Sequence, residues 1–400
     1  MRQKKIANIL IVLGFAGFLI TALVLTARKP QGGWSYYENR TLAQMEELTP
    51  QTLWDGTFAD SVEPALQDHA AGRNTLLKLS AWMDMELFHR PVVNEIIPVQ
   101  DKLLGYLSYE TVDPQYIHNR AQQIGDIQAQ LRDVVESYGG SYYYVALPGQ
   151  RHYFMDDYPS YLNNGEESSS LSQQEFTAAL EERGVNLIDG GIAMDQAGHP
   201  ANFYSEVDHH YTFDGAVFTY RTIMDKLNAD LGWNLTVLQD QDLNYTTLDN
   251  PYLGSRARKI FGLWQADEKL KIAEPVDPIS YTRYDNGQEV PSTVYTLPAT
   301  PTEDVAYTAY MGGDVGETVI DTGREDLPSV LVYGDSFTNA LECLMYYGFD
   351  EMRSIDLRHY KEMTLADYIE RYQPDVVIAV RDYGELLSTD YNGQPFEIQP

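Results

Sequence analysis

Four hundred residues exceed what one hydrophobic core usually holds, but an apolar share of 44% and 12% aromatics, including 30 Tyr, supply enough buried surface for one main α/β domain with additions and exclude general disorder. The first 29 residues carry five Lys or Arg and no acid, leaving 23 basic against 59 acidic residues in the remainder. That balance suits a soluble surface and argues against nucleic acid as a partner, because phosphate binding needs basic surface; the lone Cys343 excludes an internal disulfide framework.

In chain order, the first feature is a run of 22 residues from Ile6 to Ala27 in which Asn8, Thr21 and Thr26 are the polar side chains. Roughly 20 apolar residues cross a bilayer as a helix. Arg2, Lys4 and Lys5 precede the run, so the positive-inside rule places residues 28–400 outside the cytoplasm, in a single-pass topology at the cell membrane. A cleaved signal peptide is the rival, with Leu25-Thr26-Ala27 as a weak cleavage site. The length of the run and Arg28-Lys29 immediately after it favour an uncleaved anchor.

Residues 30–60 are polar, with Trp34, Tyr36 and Tyr37 where aromatic rings suit a membrane interface, and read as a stalk. Between Phe58 and Phe88 the apolar positions Val62, Leu66, Leu76, Leu77, Leu79 and Trp82 predict helices broken near Ala71-Gly72. The chain thus divides into a cytoplasmic tip and anchor (1–29), a stalk with helical segment (30–110) and a main domain (111–400).

Within the main domain short apolar runs alternate with helical patterns. A helix over about 114–135 precedes a strand over 142–147, and a helix over about 172–183 precedes a strand over 185–188. A helix over 213–231 follows. A strand over 330–333 leads through Gly334 into a helix ending near Tyr347-Gly348. A strand over 353–357, a helix over 365–372 and a strand over 376–380 close the series. This alternation predicts a three-layer αβα, flavodoxin-like domain with a mainly parallel sheet. Residues 232–329 interrupt it as an insertion rich in Asn, Asp, Tyr, Thr and Pro, with β-favouring pieces at 293–296 and 318–320.

Val330-Leu-Val-Tyr-Gly-Asp-Ser-Phe-Thr-Asn339 runs from an apolar strand to a serine where the next helix should start. Ligands of open α/β sheets bind beyond the carboxyl ends of strands, and N–H groups free at a helix start stabilise an oxyanion. The plainer reading is that Asp335 or Ser336 caps the helix. A serine hydroxyl needs a base, and Glu206-Val-Asp-His-His-Tyr211 offers one. In extended backbone Asp208 and His210 share a face, so the aspartate can hold one imidazole nitrogen while the other reaches a serine, and His209 points away. A metal site is the competing reading of this Asp/His cluster, but it lacks the i,i+4 histidine spacing and a cysteine pair. No metal or cofactor is therefore expected.

Asp-His-His-Tyr at 208–211, Thr-Phe-Asp-Gly-Ala after it and Gly-Asp-Ser-Phe later resemble the DHHW family of bacterial surface proteins, related to the SGNH-like domains of periplasmic alginate O-acetyltransferases. Glu38-Asn-Arg-Thr-Leu-Ala43, the Asp68–Arg73 stretch, Tyr252-Leu-Gly-Ser255, Tyr310-Met-Gly-Gly313 and Ile355-Asp-Leu-Arg358 extend the resemblance in order. Tyr211 stands where the family's name motif has Trp. The resemblance implies an SGNH hydrolase-like fold and a triad of Asp208, His210 and Ser336. Gly313 and Asn339 become candidate oxyanion donors. Arg151, Arg358, Arg381 and Tyr383, each near a predicted strand end, are candidates for gripping a sugar or its carboxylate. The implied activity is acyl transfer, most naturally of acetyl, onto a cell-surface polysaccharide, with a membrane-bound O-acyltransferase as donor-supplying partner. A carbohydrate esterase using the same triad and a non-catalytic glycan-binding or assembly protein are the alternatives.

Overall fold

The computed structural model describes residues 2–108, 112–264, 266–389 and 394–398, so the expected boundary at 110–111 lies outside the described residues. It forms two compact units, Met1–Asn94 with Ala257–Gln265, and Glu95–Arg256 with Ala266–Pro400.

The first unit begins with α1, Arg2–Ala27, which contains the apolar Ile6–Ala27 stretch. This helix is long and apolar enough to cross a membrane. Helix α2, Pro50–Asp55, starts with Pro at its first turn and a reciprocal Thr49/Thr52 capping box. Gly56, at φ 88°, ends it and opens α3, Thr57–Asp68. Helix α4, Arg73–Trp82, runs on into a π-helical turn at Met83–Leu87. The break between α3 and α4 falls at the expected Ala71-Gly72. The segment before α2 is tied down by charge: Arg40 forks onto Asp68 at 2.6 and 2.7 Å, and Arg73 reaches Glu38 at 2.7 Å. The Arg40 hydrogen bonds draw the Asp68 carboxyl down to about 2.

The second unit is built on an eight-stranded sheet. Its elements are α5 (Pro114–Ser137), β1 (Ser141–Leu147), α6 (Glu166–Glu182), β2 (Asn186–Asp189), α7 (Phe213–Leu231), β3 (Thr282–Asp285), β4 (Gln288–Val290), β5 (Glu317–Asp321), β6 (Val330–Gly334), α8 (Phe337–Met345), β7 (Glu351–Ile355), α9 (Leu365–Tyr372) and β8 (Val376–Asp382). The order across the sheet is β4-β3-β5-β7-β6-β8-β1-β2. From β7 to β2 neighbours are parallel; β5, β3 and β4 join antiparallel at the β7 side. The expected parallel sheet is therefore present. Strands β3 to β5 come from the insertion, where the β-favouring 318–320 lies within β5. Residues 293–296 form no strand beyond the isolated Tyr295–Tyr310 bridge.

Period-two side chains divide the sheet. Tyr142, Tyr144 and Ala146 of β1, Leu331 and Tyr333 of β6 and Val377 and Ala379 of β8 pack with Ile124, Leu131, Phe176, Leu180, Leu365 and Ile369 of α5, α6 and α9. Alternate strand residues such as Val332, Ile378 and Val380 are equally buried, with α7 and α8 packed together on the layer containing the candidate site. Helix α6 begins six residues earlier than the sequence pattern predicts, because left-handed Gly165 at φ 74° opens a polar first turn that carries no apolar periodicity. Gly125 sets the spacing of α5 on α6: a Cβ there would lie 3.1 Å from that of Ala179.

Candidate active site

Strand β6 is central in the sheet and fully buried, and its last residue admits no side chain. A Cβ on Gly334 would stand 2.5 Å from the Val380 carbonyl oxygen and 2.7 Å from the Thr338 methyl. Glycine thus lets the chain turn against β8 and present Ser336 at the start of α8. Ser336 makes no side-chain capping bond; Asp335 Oδ1 instead accepts the Phe337 N–H at 2.9 Å. Its hydroxyl is left to His210, whose Nε2 lies 2.7 Å from Ser336 Oγ.

His210 does not sit on a strand as the extended reading expects. A Tyr204–Tyr211 bridge closes a tight loop, and the Asp208 carboxylate accepts the His210 N–H at 3.1 Å while holding His210 Nδ1 at 2.7 Å. Ser205 Oγ accepts the Asp208 N–H at 2.9 Å, and Glu268 takes the Ser205 hydroxyl at 2.9 Å and the Glu206 N–H at 2.8 Å. The other Asp208 oxygen accepts the Ser255 N–H at 2.6 Å. That approach depends on Gly254, where a Cβ would be 2.4 Å from the Val207 carbonyl oxygen. His209 does not point away: its ring is 3.7 Å from that of His210, and its Nδ1 lies 2.6 Å from Ser255 Oγ and 3.3 Å from Asp208. Tyr307 stacks flat on His210, with centroids 3.8 Å apart at 5°, and Tyr211 donates its hydroxyl to the Phe337 carbonyl.

These surroundings set the charges. Burial and the neighbouring His209 push His210 down to about 4, against the pull of Asp208, so the imidazole is neutral at pH 7. Burial would raise Asp208, but the two imidazoles overcome it and hold the carboxyl well below the usual range. Glu268 is pushed up to about 7 by burial. A neutral imidazole between an ionised carboxylate and a serine hydroxyl can take the serine proton and have the resulting imidazolium stabilised.

The remaining candidates separate. The Asn339 amide, one turn along α8, donates to Asp314 at 3.0 Å; Asp314 meets Arg358 at 3.1 Å, and Arg358 grips Asp356 through Nε and Nη2 at 2.5–3.0 Å. Gly313, at φ 98°, spends its N–H on the Tyr310 carbonyl at 3.1 Å and serves to turn the chain towards Asp314. Arg151 and Tyr383 line a different cavity of about 300 Å³ with Ser172, where Tyr383 bonds Asp189 and Gln173. Arg381 is buried and bonds the Glu385 carbonyl at 3.3 Å. The expected single crevice of arginines is not formed. Among the described residues two groups place metal-capable atoms within 4.8 Å, Asp208-His209-His210 and Asp314-Asp356-His359. In the first these atoms already bond one another and two serines; in the second Arg358 supplies the cation.

Ser255, Tyr307, Glu268 and Asp314 escaped the sequence reading as site residues. Ser255 alone of these carried a signal, at the end of the Tyr252-Leu-Gly-Ser motif.

A three-layer αβα sheet with an Asp-x-His loop facing a serine beyond a central strand has the form of an SGNH hydrolase-like fold. In agreement, residues 106–291 match the family described as SGNH hydrolase-like domain, acetyltransferase AlgX. Bacillus cereus PatB1 shares the fold. Its structure with a sulfonyl adduct has a TM-score of 0.63 at 21% identity over 76% of this chain and 98% of that one. A second PatB1 structure gives 0.62 at 22% over 73% and 96%. A DHHW family protein from Eubacterium siraeum gives 0.55 at 15% over 74% and 93%, in line with the motif resemblance. No curated protein matches the sequence.

Proposed function

We propose that this chain is a membrane-anchored, extracytoplasmic serine O-acyltransferase that acetylates a hydroxyl of a cell-surface polysaccharide. The observation that carries the reading is the continuous chain from Asp208 through His210 to Ser336, both links at 2.7 Å. The acetyl group is suggested by the family description matched by residues 106–291, and the polysaccharide by the alginate-related motifs.

Ser336 Oγ attacks the acyl carbonyl carbon while His210 Nε2 takes its proton, and Asp208 stabilises the imidazolium. The Ser336 N–H and the Asn339 amide are the oxyanion donors of this proposal, with Arg358 holding Asp314, and Asp314 holding Asn339. Collapse expels the leaving group, which takes the proton from His210. A sugar hydroxyl, deprotonated by His210, then attacks the acyl-serine, forming the sugar ester and releasing Ser336. A membrane-bound O-acyltransferase would supply the acyl group. Water in place of the sugar makes the same site an esterase.

The test is turnover of an activated acetyl ester by the full chain with and without polysaccharide fragments. Acetylated fragments, lost in Ser336→Ala, are the expected result. Acetate alone, at a rate unchanged by fragments, marks an esterase. No turnover, together with polymer acetylation in cells that survives Ser336→Ala but not loss of the protein, marks a non-catalytic role.

A further inference from the structure

Helix α4 is pinned beside the end of the apolar span and leaves an apolar face uncovered. The Ala71 N–H donates to Thr26 Oγ1 at 3.0 Å, Lys29 Nζ to the Ala70 carbonyl at 3.1 Å, and the Gly32 N–H to His69 Nε2 at 2.9 Å. Thr26 and Lys29 flank Ala27, the last residue of the span, and α4 starts at Arg73, two residues after Ala71. Leu76 and Leu79 of α4 and Leu87 and Phe88 beyond it are each 50–61% exposed, with Trp82 at 46%. Leu76, Leu79 and Met83 follow i, i+3, i+7 spacing and so form one stripe; Trp82 and Lys78, i, i+4 neighbours, run along one edge of it, and the exposed Asn74 lies on the opposite side.

We infer that this stripe lies in the outer headgroup layer of the bilayer, making α4 an interfacial helix beside the anchor. The inference rests on Ile6–Ala27 spanning the membrane. A helix of ten residues is about 15 Å long, and the interfacial layer on each side of the hydrocarbon core is about 5–8 Å thick. A helix fixed at the membrane exit and laid flat therefore keeps its whole stripe at the depth where interfacial helices bury their apolar side chains. The composition fits. Trp and Leu are among its exposed side chains, and Arg28 and Lys29 follow the span directly, with Arg73 two residues beyond Ala71, in a chain that is otherwise strongly acidic. Lipid is the occupant the geometry favours, because the hydrogen bonds that fix α4 run to the end of the span itself.

The test uses the full-length chain in phosphatidylcholine/phosphatidylglycerol vesicles, with nitroxides on Leu79→Cys, Trp82→Cys, Asn74→Cys and Val12→Cys. Cys343 is fully buried and stays unlabelled in the folded protein. Collision rates with oxygen and with a water-soluble nickel chelate are compared. Labels at Leu79 and Trp82 should meet oxygen several-fold more often than nickel, and the label at Asn74 the reverse. Nickel access at Leu79 equal to that at Asn74, with Val12 shielded, overturns the inference and leaves the anchor intact. Nickel access at Val12 as well removes the anchor and the inference together. Labels at Leu79 and Trp82 that are immobile and shielded from both reagents indicate contact with a second copy and also overturn it.

Discussion

A base that activates serine must be unprotonated before the reaction, and the environment of His210 favours this. Burial and His209 lower its proton affinity to about 4, so activity that depends on neutral His210 should hold as pH falls through 6.5 and decline only near 4. Because His209 is one cause of the depression, His209→Gln should move that acid limb upward; a pH profile of serine acylation checks both statements. Asp208→Asn keeps the shape of the pair but removes the charge that stabilises the imidazolium, and should slow acylation by about 10³–10⁴-fold. Asn339→Ala should cost about 10²–10³-fold in turnover with little change in folding, as expected for loss of one oxyanion donor. Single-turnover kinetics and thermal melts measure the two effects separately. Ser336, His210 and Asp208 were legible because a serine after a strand-glycine turn and a nearby Asp-x-His are local patterns. Tyr307, Glu268 and Asp314 were not, since they meet the site from the insertion through contacts that leave no periodic trace.

At the level of elements, the strands and helices with strong periodicity stand close to where the sequence predicts them. Helix α7 and helix α9 match end to end, and β6 gains one residue, Gly334. Strand β7 lies two residues earlier than expected, leaving Asp356 and Leu357 to the turn that presents Arg358. The Asp208 loop was misread as extended, because a tight loop held by Ser205, Glu268 and Ser255 brings alternate residues together as a strand would. Its dependence on Gly254 gives a test. Gly254→Ala forces a methyl against the Val207 carbonyl and Asp208, an overpacking that should cost about 1–3 kcal/mol. A lower melting temperature together with slower serine acylation is the expected outcome. An unchanged melt and rate would mean that the loop does not need so close an approach.

The whole molecule combines an apolar N-terminal helix, an acidic chain beyond it and the candidate serine site. The amphipathic distribution was visible in the sequence only as helices between Phe58 and Phe88; that their leucines stay uncovered required the fold. The nucleophile can be identified without knowing the acceptor. Intact-mass analysis and peptide mapping after exposure of the full-length protein to an activated acetyl ester should find one acetyl group on Ser336 in the wild type and none in Ser336→Ala. An unmodified wild-type protein, under conditions in which a related acetyltransferase is labelled, or an acetyl group that persists in the variant, would contradict the assignment of Ser336 as nucleophile.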